Sequence, residues 1–199
     1  MSAQCDPVYP RFPLSGRGRY EAAVAVMPFD AVLLSALLPE DLELGAQSIT
    51  VGGSHPLIFL FGHQRGVRPN VVPLGGWSYL EFISIIPFVR WRNERFAYRG
   101  PFAYMPRLFL DQTIPTIAGH LYGYTKRLAR LSSTATEYRV HSMGLDKPIV
   151  RAELGPSMPP TPPAHSPNFA PLRPIFDLPL IAQYPFGAYV SSFVTFALD

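Results

Sequence analysis

Residues 77–88, WSYLEFISIIPF, decide the fold class of this chain, because they are rich in aromatic and β-branched side chains. Such side chains favour a pleated, partly buried surface, so the segment predicts a β-strand. One charged residue, Glu81, interrupts the run. A carboxylate inside such a strand is a candidate functional group as well as a candidate buried structural one.

Segments with strand character lie on both sides of this run. Residues 29–38 instead predict one short amphipathic helix that Pro39 closes, with Asp30 as a cap near its start. Residues 114–122 lead into GYTKRLARL, which we interpret as a strand-to-loop segment or a single helical turn. We find no internal repeat and no long helical period, so the sequence predicts a mainly β (α+β) fold, an antiparallel sheet or barrel with a few short helices. The other predicted strands are residues 20–26, 49–52, 56–62, 103–110, 137–142, 149–154 and 188–198.

The length of 199 residues is enough for one domain with its own core. We predict an N-terminal extension over residues 1–18 and a single domain over residues 19–199. Residues 156–174 are dominated by proline, which cannot run through a sheet interior. We interpret them as an exposed connector within the domain, with a polyproline arm that binds a partner as the alternative.

Composition narrows the class of protein. The chain is 48% hydrophobic and 16% charged, which indicates a large buried interior, an oligomer interface or both. We therefore expect a homo-oligomer. No apolar run approaches the roughly 20 residues of a membrane helix, and the N-terminus has no apolar signal core, so we expect a cytoplasmic protein without a membrane partner.

Nucleic acid and metal are not expected as partners. The densest basic run, residues 90–99, is interrupted by Glu94 and has no repeated aromatic pattern, so we interpret it as a solvated hairpin or a subunit contact. The sequence has no phosphate-binding loop, dinucleotide fingerprint or zinc-protease motif. His55 and His63 would lie about 26 Å apart on an unbroken strand, so they share a metal only if the strand bends sharply.

Lysine usage limits any amine chemistry to two positions, and a codon bias towards arginine is the alternative explanation for the small number of lysines. The chain has 17 lysines and arginines, of which only Lys126 and Lys147 are lysines. An arginine keeps its proton at working pH, whereas a desolvated lysine loses it. Lys126 lies among apolar residues with Arg127 beside it, and an apolar pocket and a neighbouring cation both lower the pKa of an amine. The alternative is a surface Lys-Arg pair at a helix start.

Residues 104–130, YMPRLFLDQTIPTIAGHLYGYTKRLAR, resemble the core segment of the acetoacetate decarboxylase family. That segment contains a leucine-aspartate-glutamine run, an Ile-Ala-Gly run and a Gly-Tyr pair shortly before the reactive lysine, here Lys126. Three further blocks occur in the family's order, and the resemblance covers roughly residues 19–155. These blocks are Arg19-Tyr20, residues 38–44 (LPEDLEL), and residues 79–81 (YLE) with Ile86-Pro87.

The resemblance implies a cofactor-free lyase that acts on a small keto acid and needs no metal. Lys126 would condense with the ketone of a β-keto acid, and the protonated imine would accept the electrons released when carbon dioxide leaves. Aldol or dehydration chemistry on a keto acid is the nearest enzymatic alternative. A non-catalytic barrel that binds a small apolar ligand is the second alternative.

The resemblance also implies roles for individual residues. Arg127 would hold down the pKa of the neighbouring amine, and Glu81 would transfer protons or position the amine. Arg19 would pair with the substrate carboxylate. Tyr79 and Tyr124 would line the pocket.

The chain departs from the family pattern at several positions. Thr125 replaces the proline before the lysine, and Arg127 replaces a second lysine. His120-Leu121 stands where an Arg-Glu pair is common. Residues 55–63, HPLIFLFGH, lack the acidic residue expected on the strand before Glu81. These differences favour a substrate other than acetoacetate itself.

Overall fold

A computed structural model describes residues 16–70, 75–121, 124–155, 162, 165–166, 168–183 and 189–192. Ten strands in this part of the chain form one curled sheet with a few short helices, which confirms the predicted mainly β fold. The strands are β1 (Gly16–Asp30), β2 (Leu42–Leu44), β3 (Ser54–Pro69), β4 (Trp77–Trp91), β5 (Phe102–Leu110), β6 (Lys126–Ser133), β7 (Glu137–Ser142), β8 (Val150–Glu153), β9 (Leu180–Gln183) and β10 (Tyr189–Ser192).

The sheet is mainly antiparallel, with strand order β1-β3-β4-β5-β6-β7-β8. Strand β2 pairs with β4, β9 with β5, and β10 with β9. Strand β5 is the exception, because it pairs in parallel with both β6 and β9. Parallel neighbours need a crossover connection, and a helix supplies it between β5 and β6. The helices are α1 (Ala31–Ser35), α2 (Thr113–Leu121) and α3 (Arg173–Phe176), with a 3-10 turn at Ala170–Leu172.

The predicted helix over residues 29–38 is real but shorter, at Ala31–Ser35. Asp30 caps it as predicted, since its Oδ1 accepts hydrogen bonds of 2.9 Å from the amides of Val32 and Leu33. Strand β1 extends to Asp30, so the first two residues of the predicted helix belong to the sheet instead.

The strand predicted at residues 49–52 is wrong. The side chain of Gln47 folds this segment into a turn, because its Oε1 accepts hydrogen bonds from the amides of Ile49 at 2.7 Å and Thr50 at 2.9 Å. The segment GYTKRLARL also differs from the prediction: α2 precedes it, and from Lys126 onward it is strand β6.

The predicted domain limits fall partly outside the described residues. Residues 1–15 are not described, and β1 begins at Gly16, inside the extension predicted for residues 1–18. Much of the proline-rich segment 156–174 is likewise undescribed, but its end forms the 3-10 turn and the start of α3. Of the predicted strand 188–198, the structure describes β10. Among the described residues, no helix is long and apolar enough to cross a membrane.

One face of the central strands carries an aromatic core. Phe61 lies 5.3 Å from Phe82 and 5.4 Å from Tyr138, measured between ring centroids. The Tyr138 hydroxyl donates hydrogen bonds to the backbone carbonyls of Glu81 at 2.9 Å and Gly62 at 3.3 Å. Strand β7 thereby covers this face. Successive residues on a strand point to opposite faces, so the Glu81 side chain lies on the other face of the sheet.

Candidate active site

The other face of β1, β3, β4 and β5 forms the wall of a cavity of about 1230 Å³. Helix α2, the start of β6 and part of segment 162–180 complete the lining. The polar and ionisable side chains of interest are those of Tyr20, Gln64, Tyr79, Glu81, Tyr124 and Lys126.

Lys126 is the first residue of β6 and pairs with Leu108 of β5. Its Nζ lies 5.9 Å from the centroid of the Tyr79 ring, so the aromatic face lies within cation–π range of the amine. Burial lowers the pKa of Lys126 below that of an ordinary lysine, because the cavity favours the neutral amine. A neutral amine is the form that attacks a carbonyl.

Gly119 of α2 provides the space for the lysine side chain. A Cβ at this position would lie 2.0 Å from Cδ and 2.3 Å from Cε of Lys126. The helix is held in register with β6 by two contacts: the Tyr124 amide donates to the Gly119 carbonyl at 3.0 Å, and His120 Nε2 lies 2.6 Å from the Lys126 carbonyl oxygen. Gly119 therefore shapes the space that the Lys126 side chain occupies, which we call the lysine channel.

Glu81 is the acidic partner of the amine. Its side chain is only 3% exposed, and Gln64 Nε2 donates a hydrogen bond of 3.1 Å to its Oε1. Burial raises the pKa of Glu81, while Lys126, Gln64 and Tyr20 act in the opposite direction. The Glu81 carboxylate likewise raises the pKa of Lys126 against the effect of burial. Each residue thus stabilises the charged form of the other, and burial favours the neutral form of both.

Tyr20 lies over Gly62, on the strand that lacks the expected acid. Gly62 pairs with Glu81 across β3 and β4, so a side chain at position 62 would point into the cavity beside the carboxylate. A Cβ built there would lie 2.2 Å from the Tyr20 hydroxyl oxygen and 2.3 Å from its Cε2. The tyrosine from β1 therefore occupies the space in which a side chain of β3 would stand.

The structure does not bring Arg127 into the cavity. Lys126 and Arg127 are consecutive on a strand, so their side chains point to opposite faces, and that of Arg127 is exposed. Desolvation is what lowers the pKa of Lys126, with Glu81 opposing it. The role predicted for Arg127 therefore has no support in this geometry.

The remaining predicted site residues lie at different depths. Tyr79 and Tyr124 line the cavity. Arg19 lies at its rim, where its side chain is 70% exposed and forms a 3.0 Å ion pair with Glu21. Glu21 also pairs with Arg65 at 3.1 Å. The Arg19 guanidinium therefore points to Glu21 in this structure, rather than into the cavity.

The Leu-Asp-Gln block has a structural role that its sequence does not reveal. Asp111 Oδ1 accepts a hydrogen bond of 3.0 Å from the Leu80 amide, and Gln112 Nε2 donates one of 2.7 Å to the Ser78 carbonyl. These bonds fasten the start of α2 to β4 next to Glu81. The block therefore sets the position of the helix that shapes the lysine channel.

Two solved structures with a similar fold are those of enzymes. The enduracididine biosynthesis enzyme MppR, complexed with the condensation product of pyruvate and imidazole 4-carboxaldehyde, aligns with a TM-score of 0.53 at 15% identity, over 98% of this chain and 84% of that chain. An acetoacetate decarboxylase-like enzyme from Sphingomonas wittichii RW1 aligns with a TM-score of 0.50 at 14% identity, over 88% and 69%. The fold is acetoacetate decarboxylase-like. No protein-family profile and no curated protein sequence matches the chain.

Within this acetoacetate decarboxylase-like fold, the cavity presents a desolvated amine at Lys126 and a buried carboxyl at Glu81. Sequence reasoning found both residues but not Gln64, whose place beside Glu81 depends on the pairing of β3 with β4. Among the described residues, no cluster of three or more histidine, cysteine or acidic side chains is placed to hold a metal ion.

Proposed function

We propose that this chain is a cofactor-free Schiff-base lyase that decarboxylates a β-keto acid through Lys126. The observation that carries the proposal is the desolvated Lys126 amine in a cavity beside the buried Glu81 carboxyl. The amine adds to the ketone, and loss of water gives a protonated imine. The bond to the carboxylate carbon then breaks, and its electron pair moves into the iminium to form an enamine. Protonation of the enamine carbon and hydrolysis release the ketone and free Lys126.

Glu81 is the proposed proton carrier in these steps. Burial raises its pKa, so the group exchanges its proton nearer to neutral pH than an ordinary glutamate does. Tyr79 and Tyr124 flank the reacting atoms in the proposed complex. Arg19 would bind the substrate carboxylate by exchanging its ion pair with Glu21 for one with the substrate.

Aldol condensation is a second candidate on the same site. The structures of MppR with pyruvate and with a condensation product of pyruvate and an aldehyde favour it, since that protein shares the fold. The two reactions share the imine and diverge afterwards. In the aldol reaction the enamine carbon attacks an aldehyde, whereas in decarboxylation it takes a proton.

Borohydride trapping tests the shared step. The protein is incubated with acetoacetate or pyruvate, reduced, and weighed by mass spectrometry, and the modified peptide is located. We expect an adduct on Lys126, none in Lys126→Ala, and an unchanged adduct in the matched control Lys147→Ala, whose lysine is exposed. Turnover retained in Lys126→Ala would overturn the mechanism. No adduct with any keto acid would favour a binding barrel.

Carbon dioxide release separates the two reactions. A decarboxylase releases one equivalent for each acetoacetate consumed, without an aldehyde. An aldolase instead consumes pyruvate only when an aldehyde is added, and it releases no carbon dioxide.

We further propose that the protein acts as a cytoplasmic homo-oligomer. Val32 and Leu33 of α1 and the nearby Leu37 are each more than 60% exposed, which is typical of a surface that another subunit covers. Light scattering coupled to size-exclusion chromatography measures the mass. A monomer at all concentrations would contradict this proposal.

A further inference from the structure

The Tyr20 hydroxyl is buried in the cavity and has no hydrogen-bond partner among the described residues. Buried polar groups in folded proteins are nearly always hydrogen-bonded, so an unpaired one requires an explanation. Gly62 creates the space in which this ring lies, and the ring fills it so tightly that a Cβ at position 62 would overlap the hydroxyl. The sequence therefore holds a polar group in a position that costs stability.

The surroundings of this hydroxyl fix its chemical role. Glu81, Tyr138 and Tyr79 are the titratable groups that act on it. Burial and the Glu81 charge raise the pKa of Tyr20 well above that of an ordinary tyrosine, so the hydroxyl keeps its proton. The Glu81 carboxylate interacts with this hydroxyl strongly enough to raise the pKa of Tyr20, and the hydroxyl in turn lowers that of Glu81. Among the described residues, however, no acceptor lies at an ordinary hydrogen-bond distance and angle from the hydroxyl.

We propose that Tyr20 is an oxyanion donor, whose hydroxyl donates a hydrogen bond to the carbonyl oxygen of the keto acid while Lys126 attacks the carbonyl carbon. This inference rests on the proposed function. In the step, the nitrogen lone pair forms the carbon–nitrogen bond, and the carbonyl π pair moves to oxygen. Tyr20 stabilises that oxygen and keeps its own proton. The proton released by the nitrogen passes to the oxygen through Glu81 and gives a carbinolamine hydroxyl. A second proton, from the Glu81 carboxyl, lets that hydroxyl leave as water and leaves the protonated imine with a Glu81 carboxylate.

A structural hydroxyl and a donor to substrate give different results when the hydroxyl is removed. Tyr20→Phe deletes an unpaired polar atom, so we expect an unchanged or higher melting temperature. The matched control is Tyr138→Phe, which deletes a hydroxyl that is bonded to two backbone carbonyls on the opposite face of β4. That variant should melt at a lower temperature than the wild type and form the adduct at the wild-type rate.

The decisive measurement is the rate of borohydride-trapped adduct formation against pyruvate concentration. Loss of one oxyanion donor lowers a rate by about 10²-fold. We therefore expect Tyr20→Phe to lower the limiting rate by about 10²-fold, with the half-saturating concentration changed by less than about threefold. A folded Tyr20→Phe protein with the wild-type limiting rate would overturn the inference, as would a loss of stability equal to that of Tyr138→Phe. If the wild type itself forms no adduct, the proposed function fails instead.

Discussion

Replacing Gly119 by alanine tests whether the lysine channel controls the reaction. The new Cβ would lie 2.0 Å from Cδ, 2.3 Å from Cε and 2.8 Å from Cγ of Lys126. Carbon atoms in contact lie about 3.5–4.0 Å apart, so the middle of the lysine side chain must move by about 1.5 Å or more. The obstructing atoms belong to a flexible side chain, so the side chain can move without a change in the backbone.

The expected effect of Gly119→Ala on stability is small, whereas its expected effect on reactivity is large. Alanine is favoured over glycine inside a helix by about 1 kcal/mol, which raises the free energy of unfolding and offsets the cost of moving the lysine. The melting temperature should therefore fall by no more than about 2 °C, if at all. A displacement of about 1 Å at a reacting group costs about 10²-fold in rate. We expect the adduct to form about 10²-fold more slowly in Gly119→Ala.

The assay follows adduct formation with pyruvate by rapid reduction and mass spectrometry, and it checks folding by circular dichroism. Gly52→Ala is the matched control, because no atom lies within 4 Å of a Cβ there and its φ is not in the left-handed region. That variant should react at the wild-type rate. A folded Gly119→Ala protein that reacts within about threefold of the wild type would refute the reasoning.

Three further substitutions test other parts of the site and fold. Glu81→Gln removes the charge that raises the pKa of Lys126. The midpoint pH, at which adduct formation reaches half its maximum, should therefore fall. An unchanged or higher midpoint pH would count against the electrostatic pairing of Glu81 with Lys126. Arg127→Gln should leave this midpoint unchanged, because the guanidinium points away from the cavity, and a rise would restore the role inferred from the family resemblance. Asp30→Ala removes the cap of α1 and should lower the free energy of unfolding by about 1 kcal/mol in urea denaturation, without a change in adduct rate; an unaltered stability would show that the cap contributes little.

Composition was enough to predict the central strands β4 and β5, but not the short strands β2 and β9. Residues 77–88 and 103–110 fall inside β4 and β5, because a strand buried on one or both faces needs apolar and β-branched side chains along its whole length. Composition failed at residues 49–52, where the polar side chain of Gln47 captures two backbone amides and closes a turn. A short apolar run does not show whether such a competing bond exists.

The sequence could predict single residues of the site but not how the fold arranges them. Lys126 stood out because it is one of only two lysines and occupies the reactive position of the segment that resembles the family. Glu81 stood out because it lies in another matching block and is the one charged residue in its apolar strand. The expectation for Arg127 came from its place next to Lys126 in the sequence and from the family resemblance. The two residues are consecutive on a strand, so the side chain of Arg127 lies on the other face. The position of Tyr20 over Gly62 arises from the pairing of β1 with β3, which joins residues far apart in the chain.

The crossover from β5 through α2 to β6 makes the reactivity of the amine a property of the folded chain. Where α2 has not docked, water reaches Lys126, and the amine has the ordinary lysine pKa of about 10.4, so nearly all of it is protonated at neutral pH. Reductive trapping would then count the molecules in which this crossover has closed. The amount of adduct at saturation therefore serves as an active-site titration, and it would distinguish a variant that folds incompletely from one that folds and reacts slowly.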